Sequence, residues 1–178
     1  MNITELRKPL EINDIEFRVQ SINKGGYATI LAYKDARVDQ NRLDDVCGAL
    51  NWKREHTNGN ANCIVSVWND AIKQWVSKED TGSESMAEAK KGLASDSFKR
   101  ACFNWGIGRE LYDYPLISIQ LKKDVEWKMI GDKPKQQFGL KIRSWVWFSQ
   151  FTVEGKLNYL ACKDEKGNKR FEFGTYAK

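Results

Sequence analysis

The chain has 178 residues, 41% of them apolar and 30% charged, with a formal net charge of +5, which suits one globular domain with a real core, or one domain and a small appendage. No window approaches the run of about 18 apolar residues that a membrane span needs, and the opening Met-Asn-Ile-Thr-Glu-Leu-Arg-Lys lacks the apolar stretch of a secretory leader, so a soluble, cytoplasmic protein is expected. Cys47, Cys63, Cys102 and Cys162 are widely spaced and His56 is the only histidine; this argues for reduced, buried thiols and against a zinc site, and no metal or cofactor is expected.

Residues 1–14 are polar, carry Pro9 and read as a short helix or an arm. Ile15, Phe17 and Val19 alternate with polar residues, as in a half-buried strand, and Asn23-Lys-Gly-Gly26 turns the chain into a second strand from Tyr27 to Tyr33. Asp39 is placed to cap a helix, with Val38 and Leu43 at the positions of a hydrophobic staple. Leu43, Val46, Cys47 and Leu50 then recur at helical spacing and predict one buried face. Three strand-like runs follow, Trp52–His56, Cys63–Trp68 and Lys73–Ser77, separated by Thr57-Asn-Gly-Asn60 and Asn69-Asp70.

Residues 83–106 predict a second helix, with Ser85 and Glu88 as a capping box and Gly106, Gly108 and Pro115 marking its end. Ala94, Phe98, Ala101, Cys102 and Trp105 form its apolar stripe, and Trp105 and Trp52 are assigned to the core. Lys90, Lys91, Lys99 and Arg100 sit off the stripe, and small residues (Gly92, Ala94, Ser95, Ser97) precede the Lys99-Arg100 pair. Paired cations beside small residues suit the backbone of a polyanion, and they equally suit a solvated basic face.

Past Pro115 the composition shifts. Residues 122–139 are charged, and 145–151, 157–162 and 170–173 alternate as strands. The whole predicts an α+β chain: a hairpin, helix, three-stranded antiparallel meander and helix core (β-β-β-α), followed by an all-β extension. The expected divisions are an arm over 1–14, a core domain over 15–115 and an extension of open role over 116–178.

Sequence signals for catalysis are weak. Gly25-Gly26 is not followed by Gly-Lys-Ser/Thr, which argues against ATP use, and one histidine without Gly-x-Ser-x-Gly argues against acyl transfer. Glu79-Asp80 beside Lys78 is the nearest approach to a Mg²⁺-holding carboxylate pair, and also reads as a solvated turn. The chain is not expected to be an enzyme.

Five stretches, taken in order, carry a family likeness: Tyr33-Lys-Asp-Ala-Arg37, Leu43-Asp-Asp-Val with Asn51-Trp52, Trp75 through Ser85, Ala89 through Ala101, and Trp105-Gly-Ile-Gly-Arg-Glu-Leu-Tyr112. Over about residues 15–115 the chain resembles the single-strand annealing proteins of the Rad-fifty-two superfamily, in its phage Sak-type branch. The resemblance implies a hairpin, meander and helix core that assembles into rings and binds single-stranded DNA in a basic groove without ATP. It implies backbone contacts from Lys99 and Arg100, from Arg37 at the end of the hairpin, and from Lys91. Lys90 and Arg109 lie in the same signature and are further candidates. Phe103 stands where better-known members carry another basic residue, so a less charged groove floor is expected. The resemblance also implies phage recombination in a host bacterial cytoplasm, a homo-oligomeric ring or filament, and a single-strand-binding protein of phage or host as a possible partner. It does not cover the region after Pro115.

Two other readings stay open. A Mg²⁺-dependent recombination nuclease would use Glu79 and Asp80. An RNA-binding module would use the β-β-β-α unit, whose element order double-stranded-RNA-binding domains share. The exposed edges of Lys73–Ser77 and of the Tyr27–Tyr33 hairpin predict self-association.

Overall fold

A computed structural model describes residues 2–83 and 89–177, for 89–91 the backbone alone. By contacts the chain falls into two units: Met1–Leu10 with Lys34–Arg109, and Glu11–Tyr33 with Glu110–Lys178. The capping box at Ser85 and Glu88 lies outside the described residues.

In the first unit, helix α1 spans Ala36–Cys47. Its N-cap is Asp35, whose carboxylate accepts the Arg37 N–H at 2.9 Å. Asp39, expected to cap, lies one turn inside the helix and is fully buried. The reason is local: Asp35 already has extended backbone at the end of a strand, the conformation a cap needs. The Val38–Leu43 staple therefore has no cap to flank. Leu43 and Cys47 bury as expected, but Leu50 is 93% exposed, because Gly48 takes a φ of 85° and ends the helix first.

Strands β3 (Trp52–Thr57), β4 (Asn62–Asn69) and β5 (Gln74–Thr81) form the antiparallel meander in the order β3-β4-β5. (β1 and β2 belong to the second unit, below.) Asn58, Gly59 and Asn60 make the first turn with left-handed backbone, which Asn and Gly tolerate. Helix α2 (Ala89–Trp105) packs on β4 and β5, burying Phe98, Ala101, Cys102 and Trp105 with Cys63, Val65 and Val67. The Trp105 indole donates to the Val65 carbonyl at 3.0 Å. Residues 3–7 form a short 3₁₀ turn rather than a free arm: Leu6 and Leu10 are buried, and the Arg42 guanidinium donates to the carbonyls of Glu5 (3.1 Å) and Lys8 (2.9 Å).

In the second unit, β1 (Ile15–Ile22) and β2 (Tyr27–Lys34) form the expected hairpin. It pairs with β6 (Ile117–Gln120) and not with the meander. The register sets Ala28 against Ile119 and Ile30 against Ile117, so the small and large apolar residues of β2 share a buried face with those of β6. The hairpin β7 (Trp127–Ile130) and β8 (Lys133–Gln136) turns at Gly131, whose φ is 59°. Strands β9 (Val146–Phe151), β10 (Leu157–Lys163) and β11 (Lys169–Gly174) make a third antiparallel sheet in the order β11-β10-β9.

The apolar cluster at 145–151 divides by face. Trp145 and Trp147 are buried, the latter stacked on Phe17 at 3.6 Å between ring centroids, whereas Val146 and Phe148 are exposed. Beneath them Arg170 donates to both oxygens of Glu126 (2.8 and 2.9 Å), and its guanidinium lies over Trp145. The expected α+β fold with an all-β C-terminal region is the fold observed.

Candidate nucleic-acid interface

Within the first unit, α2 carries Lys99 and Arg100 immediately after buried Phe98. Neighbours on a helix point about 100° apart, and the two cations diverge accordingly. The exposed Arg100 turns to β5, with its Nε 3.3 Å from the Asp80 carboxylate. Lys99 is half-buried, and its charge adds a small pull toward the ionised form at Asp35 and Asp39.

Arg37 stands at the start of α1, with its side chain 80% exposed and Nε 2.8 Å from Asp35. The Asp35 carboxyl is held below the usual carboxylate range, first by the Arg37 side chain and backbone N–H, with Lys99 adding. Arg37 thus pairs with this carboxylate, while Lys99 adds the weaker pull of its charge. Below it Lys34 pairs with buried Asp39. Burial pushes the Asp39 carboxyl up to about 6 although Lys34 and Lys99 pull it down.

The other predicted residues are placed differently. Lys90 and Lys91 lie in the first described turn of α2. Arg109 is exposed at the other end, where it closes the helix: Nε donates to the Phe103 carbonyl at 2.8 Å and Nη2 to that of Asn104 at 2.9 Å. The Lys78 ammonium donates to the same Asn104 carbonyl at 2.7 Å. These cations add donors at the C-terminus of the helix, where the last carbonyls lack intrahelical partners and that of Phe103 also accepts the Gly106 N–H. Arg109 also lies over the Phe103 ring at 5.5 Å, so a guanidinium covers the position where the sequence suggested a loss of charge.

Sequence reasoning missed Arg54. It is exposed on β3, with its guanidinium 4.8 Å from the centre of the Phe98 ring, one residue from Lys99. Period-two alternation would have found it, because Arg54 shares a strand face with Trp52 and His56, both of which meet α2. Trp105 is core, as expected. Trp52 is half-buried, and its indole donates to Asp44 at 2.6 Å, because the strand it opens is the edge of the meander.

Glu79 and Asp80 are poorly arranged to share a metal. Adjacent strand residues point to opposite faces. Glu79 accepts from Asn62 at 2.7 Å, and Asp80 accepts from Arg100 and Asn104. Among the described residues no group of three or more His, Cys, Asp or Glu is placed to hold a metal ion. The four cysteines are buried and free of disulfides, and burial pushes the Cys63 thiol up to about 11. No described helix is long and apolar enough to cross a membrane.

Residues 65–128 match the family model described as Rad52/22 family double-strand break repair protein. The chain is similar to a protein named single-stranded DNA-binding protein DdrA from Deinococcus radiodurans: 34% identical over 113 residues, which are 62% of this chain and 54% of that protein. Its namesake from Deinococcus deserti is 35% identical over 113 residues, 62% of this chain and 56% of that protein. The chain therefore spans about half the length of the curated relatives it matches.

Proposed function

For a chain that its segment 65–128 places in the Rad52 superfamily, we propose that the first unit binds single-stranded DNA by its phosphates and anneals complementary strands without ATP. The observation that carries this is a set of exposed cations within the first unit: Arg37 at the start of α1, Arg100 on α2, and Arg54 on β3 against Phe98, the neighbour of Lys99. Annealing needs a strand held by its phosphates with base edges free to pair. Lysine and arginine contacts to the backbone meet that need and carry no sequence preference. The relatives, named as single-stranded DNA-binding proteins, support the same ligand.

Within this reading Lys99, Arg100, Arg37 and Arg54 touch phosphate, with Lys90 and Lys91 extending the track, while Arg109 mainly closes α2. The protein acts as a ring-shaped homo-oligomer, since head-to-tail repetition turns a modest charge per chain into a continuous cationic path. We assign it to phage recombination in the bacterial cytoplasm, in the Sak-type branch, without catalytic chemistry and with a phage or host single-strand-binding protein as a possible partner. A Mg²⁺ nuclease is disfavoured by the opposed directions of Glu79 and Asp80.

The test is Lys99→Ala with Arg100→Ala. The double variant should remain folded and keep its mass by light scattering. It should lose most of its affinity for labelled single strands, with a shallower dependence of affinity on salt. Equal affinity of variant and parent across a salt titration would overturn the assignment, and shortened strands on adding Mg²⁺ would favour the nuclease.

A further inference from the structure

One stretch of the second unit is strongly basic. Residues 122–143 hold seven Lys or Arg and three Asp or Glu, a net of +4 against +5 for the whole chain. One of the three acids, Glu126, is already bound by Arg170. Within the second unit this segment borders a groove of about 620 Å³ beside β1. Its polar lining comes from Arg18, Gln136, Gln137, Lys141, Arg143 and Ser144, with no carboxylate among the lining residues. Phe138 stands at the rim, 93% exposed, with the Lys141 ammonium 5.9 Å from its ring centre.

Exposing a phenylalanine so fully costs solubility and contributes nothing to the core of this unit. Surrounded by cations and amides, it has the arrangement used for single strands: a ring for a base to stack on, and positive charge spaced along the backbone. Arginine guanidinium groups fit phosphate oxygens in a bidentate manner, and Arg18 and Arg143 are both exposed. The side-chain amides of Gln136 and Gln137 donate only to backbone carbonyls of this same segment, which rigidifies the wall.

We propose that this groove is a second contact surface for single-stranded nucleic acid, with Phe138 stacking on a base and Arg18, Lys141 and Arg143 holding phosphates. The inference rests on the single-strand reading for its choice of ligand. An acidic protein segment would be drawn by the same charge, but it has no use for an exposed ring beside amides.

The test uses the full chain and a long oligothymidylate carrying bromodeoxyuridine. On irradiation the parent should cross-link within the peptide that contains Phe138. The triple variant Phe138→Ala, Lys141→Ala, Arg143→Ala should bind about tenfold more weakly, with its salt slope shallower by about 1.4, about 0.7 for each of two phosphate contacts on a single strand. The loss should persist when Lys99→Ala and Arg100→Ala are also present.

Cross-links confined to the first unit, together with unchanged affinity in the triple variant, would overturn the proposal. So would a poly-glutamate peptide that binds the parent but not the triple variant while oligothymidylate binds both equally. Loss in the triple variant with none in Lys99→Ala plus Arg100→Ala would uphold the groove and sink the first-unit assignment. A parent that binds no oligothymidylate would sink both. The cross-link map is taken on the unaltered chain, so the outcome does not depend on the variant folding.

Discussion

Lys34, the last residue of β2, and Asp39, one turn into α1, form an ion pair with both side chains buried, 7% and 0% exposed. A charge taken out of water is tolerated only while its partner is present. The pair ties the end of β2 to the first turn of α1, which carries Arg37. It therefore anchors the helix end that presents this candidate phosphate contact.

Removing one partner should cost more than removing both. Lys34→Met should lower the stability of the chain by about 3–5 kcal/mol, because it strands a buried carboxylate, while Lys34→Met with Asp39→Leu should recover a good part of that loss. Urea denaturation of both singles and the double completes the cycle. A double variant as unstable as the sum of the singles would mean that the pair does not act as a unit.

The same carboxyl makes stability depend on pH in an unusual direction. Burial raises the Asp39 value from 3.8 to about 6, so the folded state holds a proton that the unfolded state has lost between those values. Where the folded state binds more protons, stability falls as pH rises. The Asp39 contribution should therefore make the melting temperature climb as pH is lowered from about 6 to about 4, the window set by that shift. Asp39→Asn should flatten this slope. An equally steep rise in the variant would move the effect to another group.

Arg37→Ala separates a structural role from a binding role. Its pair with Asp35 is solvated, with the Arg37 side chain 80% exposed, and such pairs are worth about 0–1 kcal/mol. The Asp35 cap uses the Arg37 backbone N–H, which alanine keeps. The melting temperature should stay within a few degrees while affinity for single strands falls severalfold. Asp35→Ala should do the reverse: it loses the cap, at about 1 kcal/mol, and removes a competing carboxylate, so affinity should hold or rise. A large thermal loss in Arg37→Ala with unchanged affinity would leave only the salt bridge.

Arg109→Ala should behave as a helix-end variant. The Phe103 and Asn104 carbonyls lose the Arg109 donor but keep the Gly106 N–H and the Lys78 ammonium, so the cost should stay at about 1 kcal/mol or less. Single-strand affinity per folded molecule should change less than in Lys99→Ala plus Arg100→Ala. Thermal melts and a binding titration on the same preparations check both. A larger binding loss than in that pair would return Arg109 to the contact surface.

What the sequence by itself determined about this protein is its local order. The strand-like run Cys63–Trp68 marked β4, the spacing of Phe98, Ala101, Cys102 and Trp105 named the buried face of α2, and Asn and Gly marked the turns. The order of short motifs from Tyr33 to Tyr112 was sufficient to suggest the family. These signals act over one or two turns of chain, where side-chain period and backbone preference are set by adjacent residues.

Tertiary structure alone decided which distant pieces meet. Nothing in Tyr27–Lys34 says that its partner is Ile117–Gln120, because any strand with the same alternation would satisfy the same backbone donors. The burial of Asp39 followed from a buried lysine at the end of β2 that pairs with it, and the stacking of Arg54 on Phe98 followed from how α2 lies on the meander. Such pairings are selected by burial and charge summed over the whole fold, and no short window of sequence contains that sum.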